Sequence, residues 1–218
     1  MTWDEMTPLL WEATGQTAVM VGWAALFTVL FGLPLGVALV VFDTGGLRPM
    51  PILKPVLGVI VNIGRSLPFI VLMIAIIPFT RLVVGTTIGT AAVVVPLTVG
   101  AVPFFARLVE TALREVQRDV VQAAQAMGAS RTTIVWKVLL PEALPGIVAG
   151  VTVTVVALIG YSAMAGTIGG GGLGDLAVRY GYQRFETALM VVTVVLLVVI
   201  VQIMQSLGDL LARRLSHK

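Results

Sequence analysis

Charged residues are scarce in this chain, and cysteine is missing. Only 11% of the 218 residues are Asp, Glu, Lys or Arg, whereas 58% are hydrophobic, and the cysteine count is 0. A soluble domain has about 25% charged residues. The composition therefore indicates an integral membrane protein with one membrane domain. Without cysteine, the chain can form no disulfide, thiolate metal site or catalytic thiol.

Further absences narrow the class of function. The sequence has no GxxxxGK[ST] phosphate-binding loop, so we do not expect a self-contained P-loop ATPase. The predicted spans contain no acidic residue, although proton- and sodium-coupled carriers commonly use an intramembrane Asp, Glu or His. The single histidine, His217, is next to the end of the chain, where we expect it to be solvated. These absences disfavour a secondary transporter and a membrane hydrolase, and we expect no metal site.

Long charge-free runs predict the membrane spans. Four runs exceed the roughly 20 residues that a helix needs to cross a bilayer; they are 13–42, 82–106, 143–174 and 187–208. A fifth run, 66–80, is long enough only if it extends back to Pro55 and includes Arg65. The runs are continuously apolar rather than alternating, which disfavours a β-barrel. We predict an all-α protein with five transmembrane helices, near 16–41, 56–79, 84–106, 145–166 and 186–208.

The basic residues predict the orientation of these helices. Because the number of spans is odd, the two chain ends lie on opposite sides. One side collects Arg48, Lys54, Arg107, Arg114, Arg118, Arg131, Lys137, Arg213, Arg214 and Lys218, and the other collects Arg81, Arg179 and Arg184. The positive-inside rule then places the 107–142 loop and the C-terminus in the cytoplasm, with the N-terminus outside.

Local chemistry in the 107–142 loop predicts short helices that meet at a tight corner. Arg107, Glu110, Arg114 and Arg118 recur at helical spacing, so we expect the third span to continue as an amphipathic helix with a solvated charged face. Gly128 can adopt the left-handed conformation that ends a helix. Ser130 can cap the next helix, and we expect Pro141 to stop it.

The spacing within this loop resembles the EAA loop of ABC importer permeases. That pattern is Glu-Ala-Ala, three residues, Gly, nine residues, an aliphatic residue, one residue and Leu-Pro. The resemblance implies a coupling helix that docks on an ATPase subunit, although Gln122 is neutral where the family has Glu. The implied coupling and ATPase-interface residues are Gln122, Ala123, Ala124, Met127, Gly128, Ala129, Ser130, Leu140 and Pro141. Met127, Ile134 and Trp136 are candidate apolar anchors, but we expect core packing for Trp136.

A wider resemblance extends over most of the chain. Residues 62–68, 78–81, 137–146, 173–184 and 205–209 look like methionine ABC importer permeases. This implies a non-enzymatic type I permease in the bacterial inner membrane, with residues 1–218 as one ABC type-1 transmembrane domain and a core of about 13–208. It also implies a homodimer in contact with lipid, without nucleic acid or a cofactor of its own. Two ATP-binding-cassette subunits would bind ATP and Mg²⁺, and a periplasmic or lipoprotein methionine-binding protein would deliver substrate. Import of another small amino acid or of a methionine derivative is the alternative, followed by an uncoupled channel or scaffold.

Two further groups are candidates for the substrate pathway. Tyr161, Ser162 and Met164 close the fourth span, where Met is flexible enough to line an outer gate, although core packing also fits. Asn62 and Arg65 are strongly polar near a span, which suggests a pathway or interface role. For Arg65, snorkelling to the membrane surface or pairing with a loop carboxylate fits as well.

Glycine patterns give two structural expectations. Residues 169–174 fit GxGxxG, but they follow an apolar run and not a strand, so we expect a flexible periplasmic loop and no dinucleotide site. Small-residue pairs four apart predict close helix packing; they are Gly32/Gly36, Gly85/Gly89 and Gly146/Gly150.

Overall fold

A computed structural model describes residues 2–216, and all regular secondary structure within that range is helical. The α-helices are α1 (Trp3–Val41), α2 (Leu53–Ser66), α3 (Phe69–Ala75), α4 (Ile77–Val84), α5 (Thr90–Arg114), α6 (Arg118–Ala126), α7 (Arg131–Ile134), α8 (Leu140–Ala165), α9 (Gly172–Leu176) and α10 (Thr187–Leu215). Three π-helical segments, Val135–Leu139, Gly166–Gly170 and Ala177–Tyr182, connect some of them. The all-α prediction is confirmed, whereas the expectation for His217 lies outside the described residues.

Four helical stretches in the described chain are long and apolar enough to cross a membrane. They are α1, α5, the continuous stretch Arg131–Gly170 and α10. The pair α2 and α3 would make a fifth span, but the two helices meet at an angle of 106°. The structure therefore supports four spans directly, and the fifth predicted span is a broken helix.

The prediction of one continuous helix over 56–79 is wrong because the chain breaks at Pro68. Leu67 has the extended conformation φ −81° and ψ 126°, which is the conformation that a following proline favours. The polypeptide then forms α3 and α4, and α4 ends at Gly85 with φ 81°. Pro78, near the predicted end of the second span, thus belongs to the short helix α4.

The first helix begins 13 residues before the predicted start at residue 16. The backbone N–H of Thr2 donates to Oε2 of Glu5 at 2.7 Å, and acidic residues near a helix N-terminus are stabilising. A helix of 39 residues is about 58 Å long. That exceeds the roughly 30 Å hydrocarbon thickness of a bilayer, so part of α1 extends beyond the apolar core.

The helix that follows Ser130 does not stop at Pro141. It continues from Arg131 to Gly170 with the π-helical segment Val135–Leu139 immediately before the proline. A proline lacks the N–H for the bond to the residue four before it, and its ring crowds that carbonyl. A local π turn accommodates such a defect without ending the helix. The predicted proline stop is therefore wrong, and the helix that contains the predicted fourth span begins upstream of residue 145, at Arg131.

The glycine pair in α1 packs against α5, as predicted. A Cβ atom built on Gly32 would lie 2.8 Å from Cδ1 of Phe105, and one on Gly36 would lie 2.6 Å from Cβ of Val109. Real Cβ atoms do not approach so closely, so the absence of a side chain sets the distance between these helices.

The other two glycine pairs differ from each other. Gly146 in α8 is close to α5, because a Cβ there would lie 2.9 Å from Cβ of Ala112, and Gly150 has a similar neighbour on α5. Gly85 and Gly89 instead have φ values of 81° and 93° with open space around them. That pair forms turns around a loop and not a helix interface, so the packing prediction is wrong for it.

The glycine-rich stretch 169–174, expected to be a flexible loop, is mostly helical and packs against α1. The N–H of Gly172 donates to Oε1 of Gln16 at 2.7 Å, and the N–H of Leu173 donates to Oγ1 of Thr17 at 2.9 Å. Leu173 is fully buried. Glycine permits this approach because it has no side chain and tolerates the positive φ of 79° found at Gly172.

Candidate functional site

The predicted coupling corner is built from α6, a glycine turn and α7. Gly128 has φ 80°. Its N–H donates to the carbonyl of Gln125, and the N–H of Ala129 donates to the carbonyl of Ala124. This pair of bonds is the Schellman arrangement that ends a helix. The next helix is capped by Ser130, whose hydroxyl oxygen accepts from the N–H of Thr133 at 3.2 Å. The predicted conformation of Gly128 and the predicted cap are confirmed.

The corner has a buried side and an exposed side. Ala124 is buried with Ile134 and Leu139 in a cluster that holds α6 against the neighbouring helices. Ala123 is exposed, and so is 82% of Met127. A partner can therefore reach one face of α6 while the opposite face anchors it to the membrane domain.

The burial of Trp136 and Ile134 is the reverse of what was expected. Trp136 is 66% exposed, although core packing was expected, whereas Ile134 is buried and cannot anchor a partner. Leu140 is half-buried and Pro141 is exposed, both within the continuous helix after the corner. The Leu-Pro end of the motif therefore lies on the helix leaving the corner, and not at a chain reversal.

A charged cluster centred on Glu110 lies at the end of α5, at the start of the predicted 107–142 loop. Glu110 has a side-chain exposure of 5%. Its Oε2 accepts from Nη1 of Arg107, and its Oε1 accepts from Nε and Nη2 of Arg114 at 3.1 and 2.8 Å. These bonds are charge-assisted, which makes them stronger than bonds between neutral groups. The predicted solvated face is wrong for Glu110, and Arg118 belongs to α6 and not to α5.

The cluster extends to two other elements. Arg114 also donates to Oδ2 of Asp43, in the loop after α1, and Lys54 at the start of α2 lies 3.2 Å from Oδ1 of Asp43. The hydrogen bond from Arg114 lowers the pKa of Asp43 to about 2. On the other side, Nη2 of Arg107 donates to Oδ1 of Asn62 at 2.7 Å. The network thus joins the loop after α1, helix α2 and helix α5.

Sequence reasoning missed Asp43 and Lys54 as members of this network. The helical spacing of Arg107, Glu110 and Arg114 was a visible signal for pairing among themselves. Nothing in the sequence brings Asp43 to Arg114, 71 residues away in the chain.

Gln122 lines a cavity of about 550 Å³, with mixed polar and apolar walls, between the loop after α1 and α6. Asp43, Arg114, Arg118 and Gln125 also line this cavity. The residue that departs from the EAA pattern therefore lies beside two arginines of its own chain. A glutamate there would add a negative charge to that cavity.

The candidate pathway residues do not share one surface. Tyr161 stacks on Phe69 with ring centroids 4.7 Å apart. Ser162 is buried, and its hydroxyl donates to the carbonyl of Ile159 at 2.7 Å. Met164 is 49% exposed. Met164 is therefore the member of this group most open to a pathway, and the gate role stays a prediction.

Asn62 and Arg65 also have different surroundings. Asn62 belongs to the charged network through Arg107. Arg65 is exposed at the end of α2 and forms no ion pair with a carboxylate in residues 2–216. Within the same residues, no three His, Asp or Glu side chains come together as a metal site would require.

Comparison with known proteins decides the family. Residues 29–217 match the family model described as "Binding-protein-dependent transport system inner membrane component". The chain belongs to this permease family. It is 57% identical over 210 residues to the Vibrio cholerae "Probable D-methionine transport system permease protein MetI", covering 96% of this chain and 93% of the relative. It is 45% identical over 209 residues to the Bacillus subtilis "Methionine import system permease protein MetP", covering 96% and 94%.

A solved structure agrees with the permease fold over the whole chain. A chain from the structure titled "Inward facing conformations of the MetNI methionine ABC transporter" superimposes with a TM-score of 0.97 at 45% identity, covering 100% of both chains. The permease described here therefore has the ABC importer fold that the EAA-like spacing indicated.

Proposed function

We propose that this chain is the transmembrane permease subunit of an ATP-driven methionine importer, which forms the translocation pathway and couples it to a partner ATPase. The observation that carries the proposal is the exposed coupling corner on a chain that is 57% identical to a D-methionine permease over 96% of its length. The corner offers a rigid contact, and the relatives supply the substrate class.

The proposed arrangement is a homodimer in the bacterial inner membrane, with residues 1–218 forming one transmembrane domain. The N-terminus is periplasmic, and the coupling corner and C-terminus are cytoplasmic, which the distribution of Lys and Arg supports. Two ATP-binding-cassette subunits bind ATP and Mg²⁺ below, and this chain binds no cofactor. A periplasmic or lipoprotein methionine-binding protein delivers substrate above, where the exposed Met164 lines the outer gate and Tyr161 supports it from the core, stacked on Phe69.

The geometry supports motion of the corner as a unit. The buried side of α6, around Ala124, packs on α7 and on the π-helical segment Val135–Leu139, and these belong to one apolar cluster with α5 and α8. The Schellman turn at Gly128 and the Ser130 cap fix the angle between α6 and α7. Displacement of the exposed face by a closing ATPase is therefore transmitted to α5 and, through Glu110 and Arg114, to the loop at Asp43. Two nucleotide-dependent states then differ in the position of a packed element.

Complex formation tests the coupling part of this proposal. The permease is co-expressed with a candidate ATP-binding-cassette ATPase subunit from the same organism, and the stoichiometry of the purified complex is measured with and without ATP. We expect a stable complex of equal numbers of permease and ATPase subunits. An isolated permease that retains no ATPase under any nucleotide condition would favour the channel or scaffold alternative.

A further inference from the structure

An apolar groove of about 460 Å³ lies between the end of α1 and the helix that leaves the coupling corner. Leu33 and Val37 of α1 form one wall, and Trp136 and Leu140 form part of the other. The groove is separate from the cavity beside Gln122, since the two share only Val41 among their lining residues.

Two arginines without partners line the same groove. The side chains of Arg48 and Arg131 are exposed, and neither forms an ion pair or a hydrogen bond within residues 2–216. No residue in the lining of the groove is acidic. Arg107 and Arg114, by contrast, both form ion pairs with Glu110, and Arg114 forms a second one with Asp43. The groove therefore combines an apolar wall with uncompensated positive charge.

The length of the apolar wall matches one leaflet of a membrane. The lining residues on this side extend from Leu33 in α1 to Phe42, the residue that follows α1, which is a rise of about 14 Å. That is about half of the 30 Å hydrocarbon thickness. Trp136, with 66% of its surface exposed, lies in the same groove, and tryptophan favours the membrane–water interface.

We propose that this groove binds an anionic phospholipid of the cytoplasmic leaflet. The lipid phosphate lies between Arg48 and Arg131, and an acyl chain follows Leu33 and Val37 toward the membrane centre. Basic pockets at the cytoplasmic ends of transmembrane helices recognise anionic headgroups in this way. A water-soluble ATPase could cover the arginines but could not reach the wall at Leu33, which is why a lipid is the favoured occupant. The inference rests on the orientation given under the proposed function.

The intrinsic fluorescence of Trp136 can report the lipid directly. The chain has four tryptophans, and replacing Trp3, Trp11 and Trp23 by Phe leaves Trp136 as the single tryptophan emitter. This protein is reconstituted with phosphatidylglycerol or phosphatidylcholine that carries brominated acyl chains, and quenching of Trp136 gives the relative affinity. We expect phosphatidylglycerol to bind preferentially.

Charge removal tests the headgroup contact. Each basic residue near an anionic leaflet contributes about a fivefold preference, so R48Q/R131Q should lower the relative affinity for phosphatidylglycerol by about 25-fold. The matched control R213Q/R214Q removes two arginines from α10, outside the groove, and should leave it unchanged. Helix content by circular dichroism and monodisperse elution identify variants that remain folded.

Three results would overturn the lipid site. They are equal quenching by the two lipids, equal relative affinity in R48Q/R131Q and the control, and loss of quenching on adding the ATPase subunit. Competition by free inorganic phosphate would identify an anion site that needs no lipid, which also contradicts the inference. Failure here is distinguishable from failure of the proposed function, because co-purification with the ATPase does not depend on lipid selectivity.

Discussion

Replacing Glu110 by Gln removes the negative charge at the centre of the network that joins the loop after α1, helix α2 and helix α5. Gln retains a carbonyl oxygen for Arg114, but its NH₂ group would face the guanidinium of Arg107, donor against donor. A hydrogen bond to a charged group contributes about 1.5–3 kcal/mol, and a neutral acceptor about half of that. Arg107 and Arg114 are 32% and 44% exposed, so both can be rehydrated. We therefore expect a loss of about 2 kcal/mol in the free energy of unfolding.

Thermal unfolding of the purified permease in detergent measures this effect. For a domain of this size, about 2 kcal/mol corresponds to a decrease in Tm of roughly 4–8 °C. Glu115→Gln, at the exposed end of the same helix, makes the same chemical change and should alter stability by less than about 0.5 kcal/mol. If the two variants unfold at the same temperature, the network does not stabilise the protein, and the proposed transmission from α5 to the loop at Asp43 loses its basis.

Three other perturbations have equally definite outcomes. Gly128→Trp should abolish ATPase binding and transport in a folded permease. The control Gly85→Trp, at a similar positive φ in open space, should carry the same strain of about 1–2 kcal/mol and still bind the ATPase. A pull-down of the ATPase by each variant compares the two. Asp43, with its pKa lowered to about 2, stabilises the fold above pH 4, and that stabilisation is lost as the pH falls from about 4 to 2. In Asp43→Asn, the free energy of unfolding should therefore depend less on pH between about 4 and 2. Gly208→Ala places a Cβ 2.0 Å from Oγ1 of Thr152 and should cost about 1–3 kcal/mol in Tm measurements. Gly58→Ala, with nothing near it, should stabilise by about 0.5–1 kcal/mol.

Features that depend on local chemistry could be predicted from the sequence. The left-handed turn at Gly128 and the cap at Ser130 follow from the conformational freedom of glycine and the hydroxyl of serine, and the structure has both. The long charge-free runs locate α1, α5, α8 and α10 because apolar length is what a membrane span requires.

Features that depend on burial or on distant contacts could not be predicted. The spacing of Glu110 and Arg114 is the same on a solvated face and in a buried ion network, and only Asp43 from another part of the chain distinguishes them. The effects of Pro68 and Pro141 on the helices around them could not be predicted from the sequence either. One proline breaks a helix by 106°, whereas the other is accommodated by a π turn, and the choice depends on the packing around each.

Uptake of labelled methionine into proteoliposomes, containing the permease, its ATPase partner and the substrate-binding protein, tests the central claim most directly. The account predicts uptake that requires ATP, that is competed by unlabelled methionine, and that is lost in Gly128→Trp but kept in Gly85→Trp. Uptake that continues without ATP, or that is equal in the two variants, would contradict coupling through this corner. ATP-dependent uptake that unlabelled methionine does not compete would contradict the substrate.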